Sequence, residues 1–100
     1  MEVSVYILLC ADGSYYVGLT RKEPEAREWE HNQRLVRGYT ATRTPVKLVF
    51  VETYERIVDA IEREQQIKKW SRRKKEALIA YDYEALPELA SRPKRKPIVP

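Results

Sequence analysis

One local signal constrains this 100-residue chain more than any other, and it lies at the N-terminal end. Residues 3–10 (Val3, Ser4, Val5, Tyr6, Ile7, Leu8, Leu9, Cys10) and 15–20 (Tyr15, Tyr16, Val17, Gly18, Leu19, Thr20) are both rich in side chains that suit a pleated surface, and Ala11, Asp12, Gly13 and Ser14 separate them. Two such runs joined by so short a link form a β-hairpin. A two-residue Asp12-Gly13 turn would put Tyr6 and Tyr16 on opposite faces. A three-residue loop, Ala11 to Gly13 with Gly13 left-handed, puts both tyrosines on one face, and this register is expected.

After the hairpin, Thr20 with Glu23 three residues on reads as a capping box, and Pro24 suits the first turn of a helix running to about residue 34. That helix is polar, with Ala26 and Trp29 its main apolar members, so it should lie on the surface against an edge of the core. Gly38 ends the element, and residues 39–45 read as an ordered loop. Residues 46–51 form a third strand, whose unbroken run Leu48, Val49, Phe50, Val51 suggests a central place covered on both faces. A second helix is expected over 56–70 with Ile57, Ala60, Ile61 and Ile67 on one face, and a third from a Ser71 cap to about Tyr81. Residues 84–100 are basic and proline-containing, with nothing to bury, and read as a flexible tail after one domain at 1–83.

Composition narrows the function classes. Hydrophobic residues make up 43% of the chain, enough for a core, and the one cysteine, Cys10, excludes a disulfide partner and a cysteine zinc site. No run approaches the roughly 20 apolar residues of a membrane span, and Met1, Glu2, Val3 and Ser4 do not resemble the basic start of a secretory signal. A cytoplasmic protein with no membrane partner is expected. The net charge of +4 is unevenly spread: residues 1–61 carry 8 Lys and Arg against 9 Asp and Glu, residues 62–100 carry 11 against 6. A basic C-terminal half points to a polyanion, nucleic acid first, although a solvated basic face has the same composition.

Glu64 stands on the apolar stripe of its helix, three residues after Ile61, four after Ala60 and seven after Ile57. A carboxylate there must be paired, wet or bound to a cation, since burying it alone costs several kcal/mol. Lys68, four residues on, offers an ordinary ion pair. Arg27 and His31, also four apart, share a face of the first helix with Arg34 one turn further on, and such residues on a polar helix are commonly solvated. One histidine cannot build a histidine metal site, three glycines form no phosphate loop, and Cys10 on an apolar strand reads as core.

Taken in order, Val5-Tyr6-Ile7, then Tyr16-Val17-Gly18 ten residues after Tyr6, Arg27 with His31, Tyr39-Thr40, Pro45 to Val49, and Ala60 through Glu64 to Lys68 resemble the GIY-YIG nuclease domain. The likeness covers roughly residues 3–81 and is to the small, stand-alone bacterial members of the UPF type. Val5 stands where the signature has Gly, and Glu76 where many members carry Asn. The resemblance implies an α+β fold, a three-stranded antiparallel β-sheet flanked by helices, with a phosphodiesterase site on one sheet face. It implies Tyr6, Tyr16, Arg27, His31 and Glu64 as catalytic residues and one divalent metal, Mg²⁺ or Mn²⁺, held by Glu64 and water. Arg27 would neutralise the phosphoryl transition state, and Tyr6, its pKa lowered by metal and arginine, would take the proton of the attacking water, which Tyr16 and His31 orient.

The expected activity is therefore metal-dependent endonucleolytic hydrolysis of nucleic acid, DNA ahead of RNA, with low sequence specificity and a place in DNA repair or processing. Lys68, Lys69, Arg72, Arg73, Lys74 and Lys75 would hold the phosphate backbone. A non-cleaving nucleic-acid-binding module of the same fold is the alternative, and an adaptor using Trp29, Trp70 and the tail is a third. An intact set of Tyr6, Tyr16, Arg27, His31 and Glu64 favours the enzyme.

Overall fold

A computed structural model of the protein describes residues 2–81. Along them run β1 (Val3–Leu9), β2 (Tyr15–Thr20), α1 (Pro24–Asn32), one 3-10 turn (Tyr39–Thr42), β3 (Lys47–Tyr54), α2 (Ile57–Lys68) and α3 (Arg72–Tyr81). The expected α+β class is observed, with both strand pairings antiparallel and the sheet order β2-β1-β3. The chain divides into two compact units after Lys68. The boundary expected at 83/84 and the tail 84–100 lie outside the described residues.

The hairpin forms in the expected register. Cys10 donates its N–H to the Ser14 carbonyl at 2.8 Å and accepts the Gly13 N–H at 2.9 Å, which closes a three-residue loop. Gly13 has φ 88°, a conformation that residues with a side chain rarely adopt. Tyr6 then faces Gly18 and Leu8 faces Tyr16 across the two strands. Directly opposed residues share a face, so Tyr6, Leu8, Tyr16 and Gly18 lie together.

The central strand is β1, not the third strand as its unbroken apolar run suggested. Every residue from Val3 to Leu8 is buried, whereas β3 is an edge on which Val51 is 41% exposed. The pairing explains the misleading run. Ile7 faces Phe50 but Leu8 faces Leu48, so β3 carries an extra residue and its side-chain alternation is broken at that point.

No capping box forms at α1. Glu23 is the N-cap and makes no side-chain cap hydrogen bond, while Thr20 Oγ1 accepts the Lys22 N–H at 2.9 Å and turns the chain as it leaves β2. The helix stops at Asn32, short of residue 34, because Arg34 takes a left-handed φ of 61°. Two side chains tie α1 to the start of β3: Asn32 exchanges hydrogen bonds with the Val46 backbone at 2.7 and 3.0 Å, and Glu28 accepts the Leu48 N–H at 2.8 Å. Helix α1 thus lies on the surface beside the sheet, as its polarity required.

On α2 only part of the expected stripe is inward. Ala60 and Ile67 are buried, Ile57 and Ile61 are exposed. Arg63 replaces them as an anchor and bonds the buried Glu52 carboxylate at 2.7 Å, where the Tyr54 hydroxyl also donates at 2.8 Å. Glu52 faces Val5 across the sheet, so this attachment is on the face opposite Tyr6. In the second unit Ser71 caps α3 as expected, with the Lys74 N–H bonded to its Oγ at 3.1 Å. No helix among the described residues is long and apolar enough to cross a membrane.

Candidate active site

On the Tyr6 face a buried polar chain runs from the sheet into the loop after α1. Tyr6 Oη lies 3.1 Å from His31 Nε2, and His31 Nδ1 lies 2.6 Å from Thr40 Oγ1. Tyr6 and His31 are fully buried and Thr40 nearly so. His31 is the buried residue of the otherwise polar α1, which overturns the expectation of a solvated imidazole. An interior imidazole needs partners on both nitrogens, and the strand phenol and the loop hydroxyl provide them.

The neighbours bear on the proton positions. The Arg27 guanidinium acts on the Tyr6 oxygen as a donor and a positive charge, and it has no acceptor to offer. Either contact can run in both directions with the histidine tautomer; Tyr6 O–H donating to Nε2 and Nδ1–H donating to Thr40 is the assignment in which the phenol oxygen still accepts from Arg27, and it is the one the mechanism uses. Burial raises the Tyr6 pKa above the ordinary 10.0, and the opposing pull of Arg27 does not offset it. Arg27 does pull the phenol pKa down, as expected of it, but desolvation of the phenolate is the larger effect. Burial, followed by the positive charge of Arg27, lowers His31 below the ordinary 6.5, so the imidazole is held neutral.

Tyr16 completes an aromatic corner, its ring centroid 6.3 Å from that of Tyr6 and 5.2 Å from that of His31. Arg27 is steered by Glu30, which accepts from its Nη1 at 2.7 Å and from Lys22 Nζ at 2.7 Å. The two cations, Lys22 first, hold the Glu30 carboxyl below its ordinary pKa. Arg27 Nε is buried without a hydrogen-bond partner among the described residues. A buried donor with nothing to donate to is costly, and in a charged group beside a hydroxyl it is suited to an incoming anionic oxygen.

Four of the predicted residues, Tyr6, Tyr16, Arg27 and His31, are thus brought together. Glu64 stands on α2 with its side chain 14% exposed and pairs with Lys68 Nζ at 2.9 Å. Among the six predicted backbone-binding residues, Lys68 is engaged by Glu64, Arg72 pairs with Glu76 at 3.0 Å, and Lys74 lies over the Trp70 ring at 4.2 Å. Lys69, Arg73 and Lys75 make no ion pair among the described residues.

Three contributors escaped sequence reasoning as site residues. Thr40 is nine residues from His31 with no local periodicity to link them. Glu30 looked like one more charge on a polar helix. Gly18 was legible in principle, because the expected hairpin register already sets it opposite Tyr6.

Comparison with known proteins agrees with this geometry. Residues 2–77 match the family model of the GIY-YIG catalytic domain. A UPF0213 protein of Staphylococcus aureus strain Mu3 is 45% identical over 75 residues, covering 75% of this chain and 90% of the relative. The solution structure of the UPF0213 protein BH0048 from Bacillus halodurans is 35% identical, with a TM-score of 0.53 over 90% of this chain and 98% of that one. That of the protein EF2693 from E. faecalis is 36% identical, with a TM-score of 0.55 over 80% and 84%. With the signature tyrosines on one sheet face, Tyr6 hydrogen-bonded to the helix histidine, and the family matched along most of the chain, this protein belongs to the GIY-YIG family, among its small UPF0213 members.

Proposed function

We propose that this protein is a divalent-metal-dependent endonuclease that hydrolyses phosphodiester bonds in nucleic acid, DNA ahead of RNA. The observation that carries the reading is the unpartnered, buried Arg27 Nε next to a phenol that is already hydrogen-bonded to a neutral imidazole. A site of this kind offers a donor to a phosphate oxygen and an acceptor chain to a water proton in the same place.

Among the described residues no group of three or more His, Cys, Asp and Glu side chains is gathered, so a divalent ion would rest on few carboxylates and on water, and in this reading the carboxylate is that of Glu64. Mg²⁺ keeps most of its water and takes one or two carboxylates with substrate phosphate. A cation, Lys68 Nζ, already stands against Glu64, on a side chain that is 54% exposed. In this reading Glu64 would hold the ion, which when bound would supply Lewis-acid polarisation of the scissile phosphate.

In this reading Arg27 draws the scissile phosphate in through Nε, with Glu30 fixing the guanidinium and Lys22 beside it. Tyr16 borders the space above Tyr6 and orients the water. As that water attacks phosphorus and the P–O3′ bond breaks, its proton passes to Tyr6 Oη while the phenol proton passes to His31 Nε2, and the departing 3′-oxygen takes a proton from solvent, so no free phenolate has to form in the buried site. Thr40 keeps the imidazole in the required tautomer by accepting from Nδ1.

The test is incubation of the full chain with branched, nicked and single-stranded nucleic acids in Mg²⁺ or Mn²⁺, with Tyr6→Phe as control. Cleavage leaving 5′-phosphate and 3′-hydroxyl ends, slowed about 10² to 10⁴-fold in the variant, is expected. Binding without cleavage of any substrate would establish the non-cleaving module instead.

A further inference from the structure

The column of planar groups that begins at Tyr6 and His31 does not stop inside the protein. Tyr16 continues it, and the Tyr39 ring stacks on Tyr16 at 6.2 Å between centroids and 22° between planes. Tyr39 is 41% exposed. Over Tyr39 lies the Arg43 guanidinium, its Cζ 3.9 Å from the ring centroid. Arg43 is held there by a two-point fork, Nε donating to Asp12 Oδ2 at 2.9 Å and Nη1 to the Tyr39 carbonyl at 2.7 Å. The supports are fixed in turn: Asp12 is bonded by the Ser14 N–H at 3.0 Å, and the Ala11 N–H donates to the Arg43 carbonyl at 2.9 Å.

A tyrosine that served only to cover Tyr16 would need neither a cation on its outer side nor a carboxylate to hold that cation in plane. The Arg43 side chain is a third exposed, and it has already lost most of its rotamer freedom, so a ligand stacking on it pays little for ordering it. Guanidinium planes and tyrosine rings stack nucleobases of any identity. We propose that Arg43, seated on Tyr39, is a stacking subsite for an unpaired base flanking the phosphate that enters the Arg27 site. The inference rests on the nucleic-acid reading above and does not require turnover. In the sequence Tyr39 stands out only as part of the Tyr39-Thr40 motif and Arg43 not at all, because the platform is made by the hairpin loop and the 3-10 turn meeting in space.

A base-stacking contact and a mere charge contact differ in what they lose on going from arginine to lysine. Binding of the full chain to labelled oligothymidylate, and to an abasic strand of equal length, would be followed by fluorescence anisotropy without metal. Arg43→Lys keeps the charge and loses the plane: affinity for oligothymidylate should fall about tenfold while the abasic strand binds within about twofold of wild type. Tyr39→Leu should behave likewise and Tyr39→Trp should retain binding. If Tyr39→Leu melts too low to be measured, Arg43→Lys, at the surface, decides alone. Equal binding of oligothymidylate by Arg43→Lys and wild type overturns the subsite, as does equal loss on both strands. A wild-type protein that binds but cuts nothing in Mn²⁺ removes only the nuclease reading, whereas one that binds neither strand removes both.

Discussion

The Tyr6 phenol occupies the space that a side chain on Gly18 would need: a Cβ there would come 2.5 Å from both Cζ and the hydroxyl oxygen of Tyr6. The two residues face each other across β1 and β2, so the hairpin register and the position of the phenol are one fact. Gly18→Ala should push the ring off His31, costing about 1–3 kcal/mol of stability and most of any cleavage activity. Thermal melting beside a cleavage assay checks it, and an alanine variant of wild-type stability and rate would show that the ring moves freely.

Removal of the Thr40 hydroxyl leaves His31 Nδ1–H buried without an acceptor. Thr40→Val should cost about 1–3 kcal/mol and allow the imidazole to change tautomer. Nitrogen NMR shifts of His31 in wild type and variant report the tautomer directly. An unchanged Nδ1–H in a fully stable variant would mean that Thr40 does not set it.

The pH profile of stability follows from the two buried titrating groups. His31 is below 6.5 in the folded protein, so below that pH the unfolded chain binds more protons and stability falls as pH drops from 6.5 toward the folded value. Tyr6 is above 10.0 when folded, so its contribution is present below pH 10.0 and is lost as pH rises through the raised value. Urea titrations between about pH 5 and 8 should show a decline on the acid side that His31→Gln lacks. The same acid slope in both proteins would assign it to other groups.

For Glu64 the ion pair and the metal site separate cleanly. The pair with Lys68 is half in water on the lysine side, so Glu64→Gln should change metal-free stability by only about 0.2–0.5 kcal/mol. Cleavage in Mn²⁺ should nevertheless be abolished. Retained cleavage would be fatal to the proposed metal ligand.

Salt dependence should distinguish among the basic residues. If the segment 68–75 tracks a phosphate backbone, log affinity falls linearly with log salt, and removing Lys69 or Arg73 lowers the slope by roughly 1 each. Arg72, partly neutralised by Glu76, should count for less. Binding indifferent to salt would point to a protein partner.

The hairpin was legible because its information is local: β-prone runs, a loop of set length and a glycine at the left-handed position decide which side chains share a face before any other contact exists. The Ser71 cap and the polarity of α1 were legible for the same reason. Local signals also failed where two structures satisfy them equally. Thr20 and Glu23 have the spacing of a capping box, yet the Thr20 hydroxyl bonds the Lys22 N–H, and the apolar run in β3 marks a bulged edge and not a centre.

By itself the sequence determined the strands and helices, the shared face of Tyr6 and Tyr16, and the family to which they belong. Only the tertiary structure decided that a histidine on a polar helix is buried, that Thr40 meets its far nitrogen, that Arg27 keeps a buried N–H unpaired, and that Arg43 lies on Tyr39 beside the site. Those relations join α1, the 3-10 turn and the hairpin, segments far apart in the chain. They exist because folding removes water from polar groups and leaves each to find a partner in whatever the packing brings near, a choice that no residue spacing encodes.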